Sequence, residues 1–109
     1  MILIIFVTAD YRRVFEDGYD LFITMVTYRR TPLLIENIDL LRRAFYLSKQ
    51  KYTYTIKTII VLPDHLHMII RPEDVGAYPY IISHIKRSFL FGMDKAAKTQ
   101  LKQRQSKQI

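Results

Sequence analysis

The stretch Ile59-Ile60-Val61-Leu62-Pro63-Asp64-His65-Leu66-His67-Met68-Ile69-Ile70 constrains the fold more than any other part of the chain. Two apolar, β-branched runs flank a Pro-Asp turn signal, which reads as a hairpin with strands from Tyr54 to Leu62 and from His65 to Arg71. Successive strand residues point to opposite faces, so His65 and His67 should project side by side while Leu66 turns into the core. Two readings of that pair stay open. Each histidine can be a half-buried residue with a hydrogen-bond partner, or the two imidazoles can form half of a metal site. With three histidines and no cysteine in the chain, a closed zinc site is disfavoured. An open site completed by carboxylate, amide, water or phosphate oxygen suits magnesium or manganese better.

The rest of the pattern supplies one domain. Leu21 to Thr27 is rich in β-branched and aromatic residues and reads as a strand. Asn37 to Gln50 reads as a helix with Ile38, Leu41, Ala44, Phe45 and Ser48 on one side. After the hairpin, Pro79 sits well in a first helical turn. Tyr78, Ile81, Ile82, Ile85 and Phe89 then make an apolar stripe, and Gly92 is placed to cap its end. The order strand, helix, strand, strand, helix is five sixths of a ferredoxin-like βαββαβ unit. The expected fold class is therefore α+β, with two helices on one face of the sheet and the other face open for ligands.

Landmarks spread along the chain resemble those of the REP-associated tyrosine transposases, a group within the HUH tyrosine transposases. His65-Leu66-His67 following Leu62-Pro63-Asp64 resembles their histidine-hydrophobic-histidine motif. Tyr11-Arg12-Arg13, Asp17-Gly18 and the strand from Leu21 to Thr27 are similar to their opening segment. Ile85-Lys86-Arg87-Ser88-Phe89 is similar to their basic helix after the metal strand. The resemblance runs from Tyr11 onward and implies the same ferredoxin-like fold. It also implies a function, which is to bind, nick and rejoin single-stranded or hairpin DNA. In such enzymes a histidine pair holds a divalent cation, Mg or Mn, against the scissile phosphate, and a tyrosine hydroxyl attacks.

Carried over residue by residue, the resemblance makes His65 and His67 metal ligands. It makes Tyr11, Arg12, Arg13, Lys86 and Arg87 candidate DNA contacts, each with a plain surface or packing role as the alternative. The catalytic tyrosine has no counterpart. In the family it lies on a helix beyond a fourth strand, in a segment with a Trp-containing stretch and an Asn-Pro. This sequence has no Trp, and the last of its eight tyrosines is Tyr80. The chain thus resembles a C-terminally truncated member lacking the fourth strand and the tyrosine helix, so whether it is an enzyme stays open. Asp64 is expected to shape the turn before His65, and His84 to lie on a helix surface.

Losing the fourth strand would leave Leu21 to Thr27 as a bare edge. The segment Met1 to Asp10 reads as an extension beyond the family pattern, and its run Ile2 to Val7 has strand character. We expect it to pair antiparallel with Leu21 to Thr27. The remaining divisions are a transposase-like domain over 11–93 and a basic tail over 94–109.

Charge supports a polyanion partner. From His84 onward seven basic residues face a single acid, Asp94, so that part carries six of the seven net positive charges. The absence of cysteine points to a reducing, cytoplasmic setting, and no apolar run is long enough for a membrane partner. A monomer and a homodimer fit equally. Two other functions remain: a non-catalytic nucleic-acid-binding module using the open sheet face, and a decayed transposase fragment.

Overall fold

The computed structural model describes residues 4–13 and 19–107, with side chains described over 19–102. Four strands, β1 (Ile4–Arg13), β2 (Tyr19–Thr27), β3 (Tyr54–Val61) and β4 (His65–Pro72), form one antiparallel sheet in the order β1-β2-β4-β3. Helices α1 (Ile38–Lys51) and α2 (Tyr78–Lys107) complete the α+β architecture.

Alternation decides which face meets the helices. On β2, Leu21, Ile23, Met25 and Thr27 are buried, and on β4 Leu66, Met68 and Ile70 are buried. They pack with Leu41, Ala44 and Phe45 of α1 and with Ile81, Ile82, Ile85 and Phe89 of α2. Full burial of each such side chain contributes about 1.5–3 kcal/mol, so this single layer of contacts holds sheet and helices together. The residues between them, Phe22, Thr24 and Val26 on β2 and His65, His67 and Ile69 on β4, stay half-buried or exposed on the other, open face.

The N-terminal strand fills the edge beside β2, in the antiparallel sense expected. It is longer than expected. The register runs from Ile4 opposite Thr27 to Arg13 opposite Tyr19, so Tyr11-Arg12-Arg13 belongs to the strand. The boundary expected after Asp10 therefore lies inside a strand.

Two further departures have physical reasons. Gly92 does not cap α2. Among the described residues no glycine has a positive φ, and a Cβ on Gly92 would sit 3.3 Å from Leu40 Cδ2. Its lack of a side chain serves close approach of the two helices, and α2 continues through it to Lys107. The basic segment placed beyond residue 93 is thus helical up to that point. On β3 the register shifts between Ile56 and Thr58. A bulge of this kind inserts one residue, here Lys57, and reverses the parity of the strand beyond it. Thr58 and Ile60 thereby join the open face.

Candidate functional site

The two imidazoles lie where β4 leaves the hairpin turn. Leu62-Pro63-Asp64-His65 spans that turn, and across it the Leu62 N–H donates to the His65 carbonyl at 2.8 Å. His65 is half-buried and His67 exposed. Their ring centroids are 5.0 Å apart with an interplanar angle of 82°. Period-two spacing thus puts the pair on one face, the open one, with Leu66 buried beneath.

Each ring is held through Nδ1. His65 Nδ1 lies 2.7 Å from Asp64 Oδ1, and a carboxylate there requires Nδ1 to carry the hydrogen. His67 Nδ1 lies 2.9 Å from the Thr24 hydroxyl, its register partner on β2. The other Asp64 oxygen accepts from Arg30 Nε at 2.8 Å, and Arg30 Nη2 comes within 3.5 Å of His65 Nδ1. The hydrogen bonds from His65 and from Arg30 hold the Asp64 carboxyl down at about 2, so it is an anion throughout the neutral range.

Arg30 is delivered by an unusual loop. Arg29 and Arg30 both take left-handed backbone angles, φ 53° and 57°, each costing about 1–2 kcal/mol for a residue with a Cβ. The next segment is pinned on all sides. The Thr31 N–H and hydroxyl both donate to the Tyr28 carbonyl, at 3.1 and 2.8 Å. The Leu34 N–H donates to the Pro63 carbonyl at 2.9 Å, and the Thr27 N–H to the Asp64 carbonyl at 3.0 Å. The buried Thr27 hydroxyl lies within 2.7 Å of the Thr31 carbonyl and 3.0 Å of that of Asp64. The end of β2 and the histidine turn are therefore one tied unit.

Chemically, the site offers two oriented imidazoles, a fixed carboxylate and a guanidinium on an open face. Among the described residues no group of three or more His, Cys, Asp or Glu side chains is arranged to enclose a cation. Any ion here would draw its remaining ligands from water or from a bound phosphate. Asp64 is already engaged on both oxygens, which makes it an orienting partner of His65.

Of the residues named from sequence, His65 and His67 are brought together. Lys86 and Arg87 are not with them. They lie on α2, in the helical layer behind the sheet, and Arg87 Nε donates to the Ser83 carbonyl at 3.4 Å. Tyr11, Arg12 and Arg13 are on β1 opposite Leu21, Asp20 and Tyr19; their side chains lie outside the described residues. His84 is half-buried, edge-on to Tyr52 at 5.9 Å, and is no third ligand. Arg30 and Thr24 are site residues that sequence reasoning misses. A signal exists for Arg30: Tyr28-Arg29-Arg30 repeats the string of Tyr11-Arg12-Arg13 just before Thr31-Pro32.

Comparison with known proteins points to the same family. A Haemophilus influenzae protein assigned to the REP-associated tyrosine transposases is 31% identical over 99 residues, covering 89% of this chain and 56% of that protein. A solved structure of a REP-associated tyrosine transposase bound to a REP hairpin superposes with a TM-score of 0.62 at 27% identity, covering 80% of this chain and 54% of that one. This chain is related to the REP-associated tyrosine transposases. It spans about half the length of the relatives it matches. No protein-family model matches it. Among the described residues no helix is long and apolar enough to cross a membrane.

Proposed function

We propose that this chain is a DNA-binding unit of the transposase type that takes a divalent cation, magnesium or manganese, at His65 and His67 and presents it to a phosphate of single-stranded or hairpin DNA. The observation that carries the reading is the pair of imidazoles on the open face, both tethered through Nδ1. That leaves Nε2 of each ring as the ligating atom, the usual arrangement in which a second partner fixes a metal-binding histidine. A cation held there would neutralise charge on the phosphoryl oxygens. The protein's own part is to orient the rings through Asp64 and Thr24, to place the Arg30 guanidinium beside them, and to keep the face open to a strand. The kinship with a transposase whose structure holds a REP hairpin supports hairpin DNA as the ligand. Arg12 and Arg13, on the neighbouring strand β1, would contact phosphates and add affinity without reading sequence; Lys86 and Arg87, behind the sheet, would do so only for DNA that extends past the sheet to α2. The setting is cytoplasmic, where DNA is available.

Cleavage is not part of this reading for residues 1–109. Tyr54 is buried and hydrogen-bonded to Ser48. Tyr46 lies on α1, Tyr52 at its C-terminal end, and Tyr78 and Tyr80 at the start of α2, in the layer away from the imidazoles. Tyr11 and Tyr19 lie on β1 and β2, and Tyr28 directly after β2; we infer binding without tyrosine attack.

A DNA hairpin with a single-stranded flank, titrated with and without manganese, tests both statements. Binding should strengthen with the ion, weaken as salt rises, and lose its ion dependence in His65→Ala and His67→Ala. Binding indifferent to the ion and to both variants would favour a metal-free nucleic-acid module. A covalent adduct on any tyrosine of this chain would overturn the second statement.

A further inference from the structure

Next to His67 the open face holds a depression of about 300 Å³ whose walls include Phe22, Thr24, Thr58, Ile60, His67 and Ile69. We propose that it is a nucleobase pocket, taking the base attached to the phosphate held at the histidine pair. The inference rests on the DNA-binding reading above and goes beyond it by assigning a base subsite.

Three features of the pocket point to a base. The first is composition. Phe22 is 37% exposed and Ile60 58% exposed, on a face where exposure to water would ordinarily favour polar side chains. An aromatic ring flanked by aliphatic walls on an open sheet is the surface on which single-stranded bases stack. The second is size. The volume, about 300 Å³, stands at the lower limit for small-molecule sites, which suits one flat ring system.

The third is position. Ile60 is opposite His67 on β3, and Thr24 is opposite it on β2. Phe22 lies two residues along β2 from Thr24, about 7 Å at the rise of a strand. A nucleotide in an unstacked strand covers that distance between its phosphate and its base. Ile60 and Thr58 reach this face only through the irregularity at Lys57, so the wall is produced by a local break in the strand. The Thr24 hydroxyl is taken up by His67. Thr58 is then the hydroxyl facing a base edge, and one hydroxyl beside a stacking ring gives contact that tolerates different bases.

The test uses a short single-stranded oligonucleotide of mixed sequence and its abasic counterpart, which keeps the sugar-phosphate backbone, both with manganese present. The wild type should bind the base-bearing strand more tightly. Phe22→Ala should weaken that binding by about 5- to 100-fold and leave the abasic strand and manganese binding in the absence of DNA unchanged. Phe22→Trp should retain the preference and Phe22→Leu should lose it, separating stacking from simple bulk. No loss in Phe22→Ala, or an equal loss on both strands, would overturn the pocket. A wild type that binds both strands equally leaves the DNA reading standing and removes this one; a wild type that binds neither removes both.

Discussion

Arg30 grips Asp64 through a 2.8 Å hydrogen bond between ions, spanning 34 residues of sequence. More than half of the Arg30 side chain remains open to water, and an exposed ion pair of this kind contributes little to folding. The left-handed backbone beneath it costs more than such a pair returns. The anchors at Thr27, Thr31 and Leu34 sustain the loop, and the pair's main effect is on Asp64 and, through it, on the His65 ring.

Asp64→Ala should therefore leave the fold intact and weaken manganese binding by about 10- to 100-fold, the range seen when the orienting partner of a metal-bound histidine is lost. Titration followed by calorimetry or by the electron-spin signal of manganese measures it. Thr24→Val should act in the same direction through His67.

Helix contact at Gly92 predicts a split between small and larger replacements. Alanine gains about 0.8–1 kcal/mol of helix propensity over glycine, and Leu40 Cδ2, only 3.3 Å from the new Cβ, is a side-chain end able to shift. Gly92→Ala should raise stability by less than that figure, whereas Gly92→Val should lower it. Urea midpoints of the two variants against wild type give the comparison.

Phe89 is 1% exposed between α2 and the sheet. Phe89→Ala should cost about 3–5 kcal/mol, by lost burial and the cavity left behind. Chemical denaturation checks this, and a loss under about 1 kcal/mol, the scale of an ordinary surface change, would mean α2 is not seated on the sheet as described.

His84 titrates below its ordinary value, because burial disfavours its charged form and the neighbouring Lys51 and Arg87 repel it. The unfolded chain then binds more protons than the folded one below about pH 6.5, so this group makes stability fall as pH drops from that point toward its folded value. Proton NMR should place the His84 midpoint below the ordinary histidine value. Lys51→Ala should move it up, and His84→Asn should flatten the acid side of the stability curve.

Most of the fold could be read from residue patterns. The alternation through His65-Leu66-His67-Met68 and the helical stripe at Leu41, Ala44, Phe45 and Ser48 are local signals, and both reappear as burial. What escaped reading depends on partners distant in sequence. The role of Gly92 is visible only against Leu40, and a lone glycine in a helical pattern looks like a stop. The bulge at Lys57 has no residue signature. Arg30 joins the histidines only because its loop is pinned to the hairpin turn, a long-range effect that spacing cannot express.

The position of β1 bears on how the molecule assembles. Its pairing with β2 links segments adjacent in the chain, so the outer rim of the sheet closes through a contact of short loop length, at a small entropic cost. A rim strand supplied from beyond α2 would have to wait for a closure across the whole domain. Local closure favours early formation and faster folding, with the β1–β2 ribbon able to form before the hairpin of β3 and β4 has been synthesised.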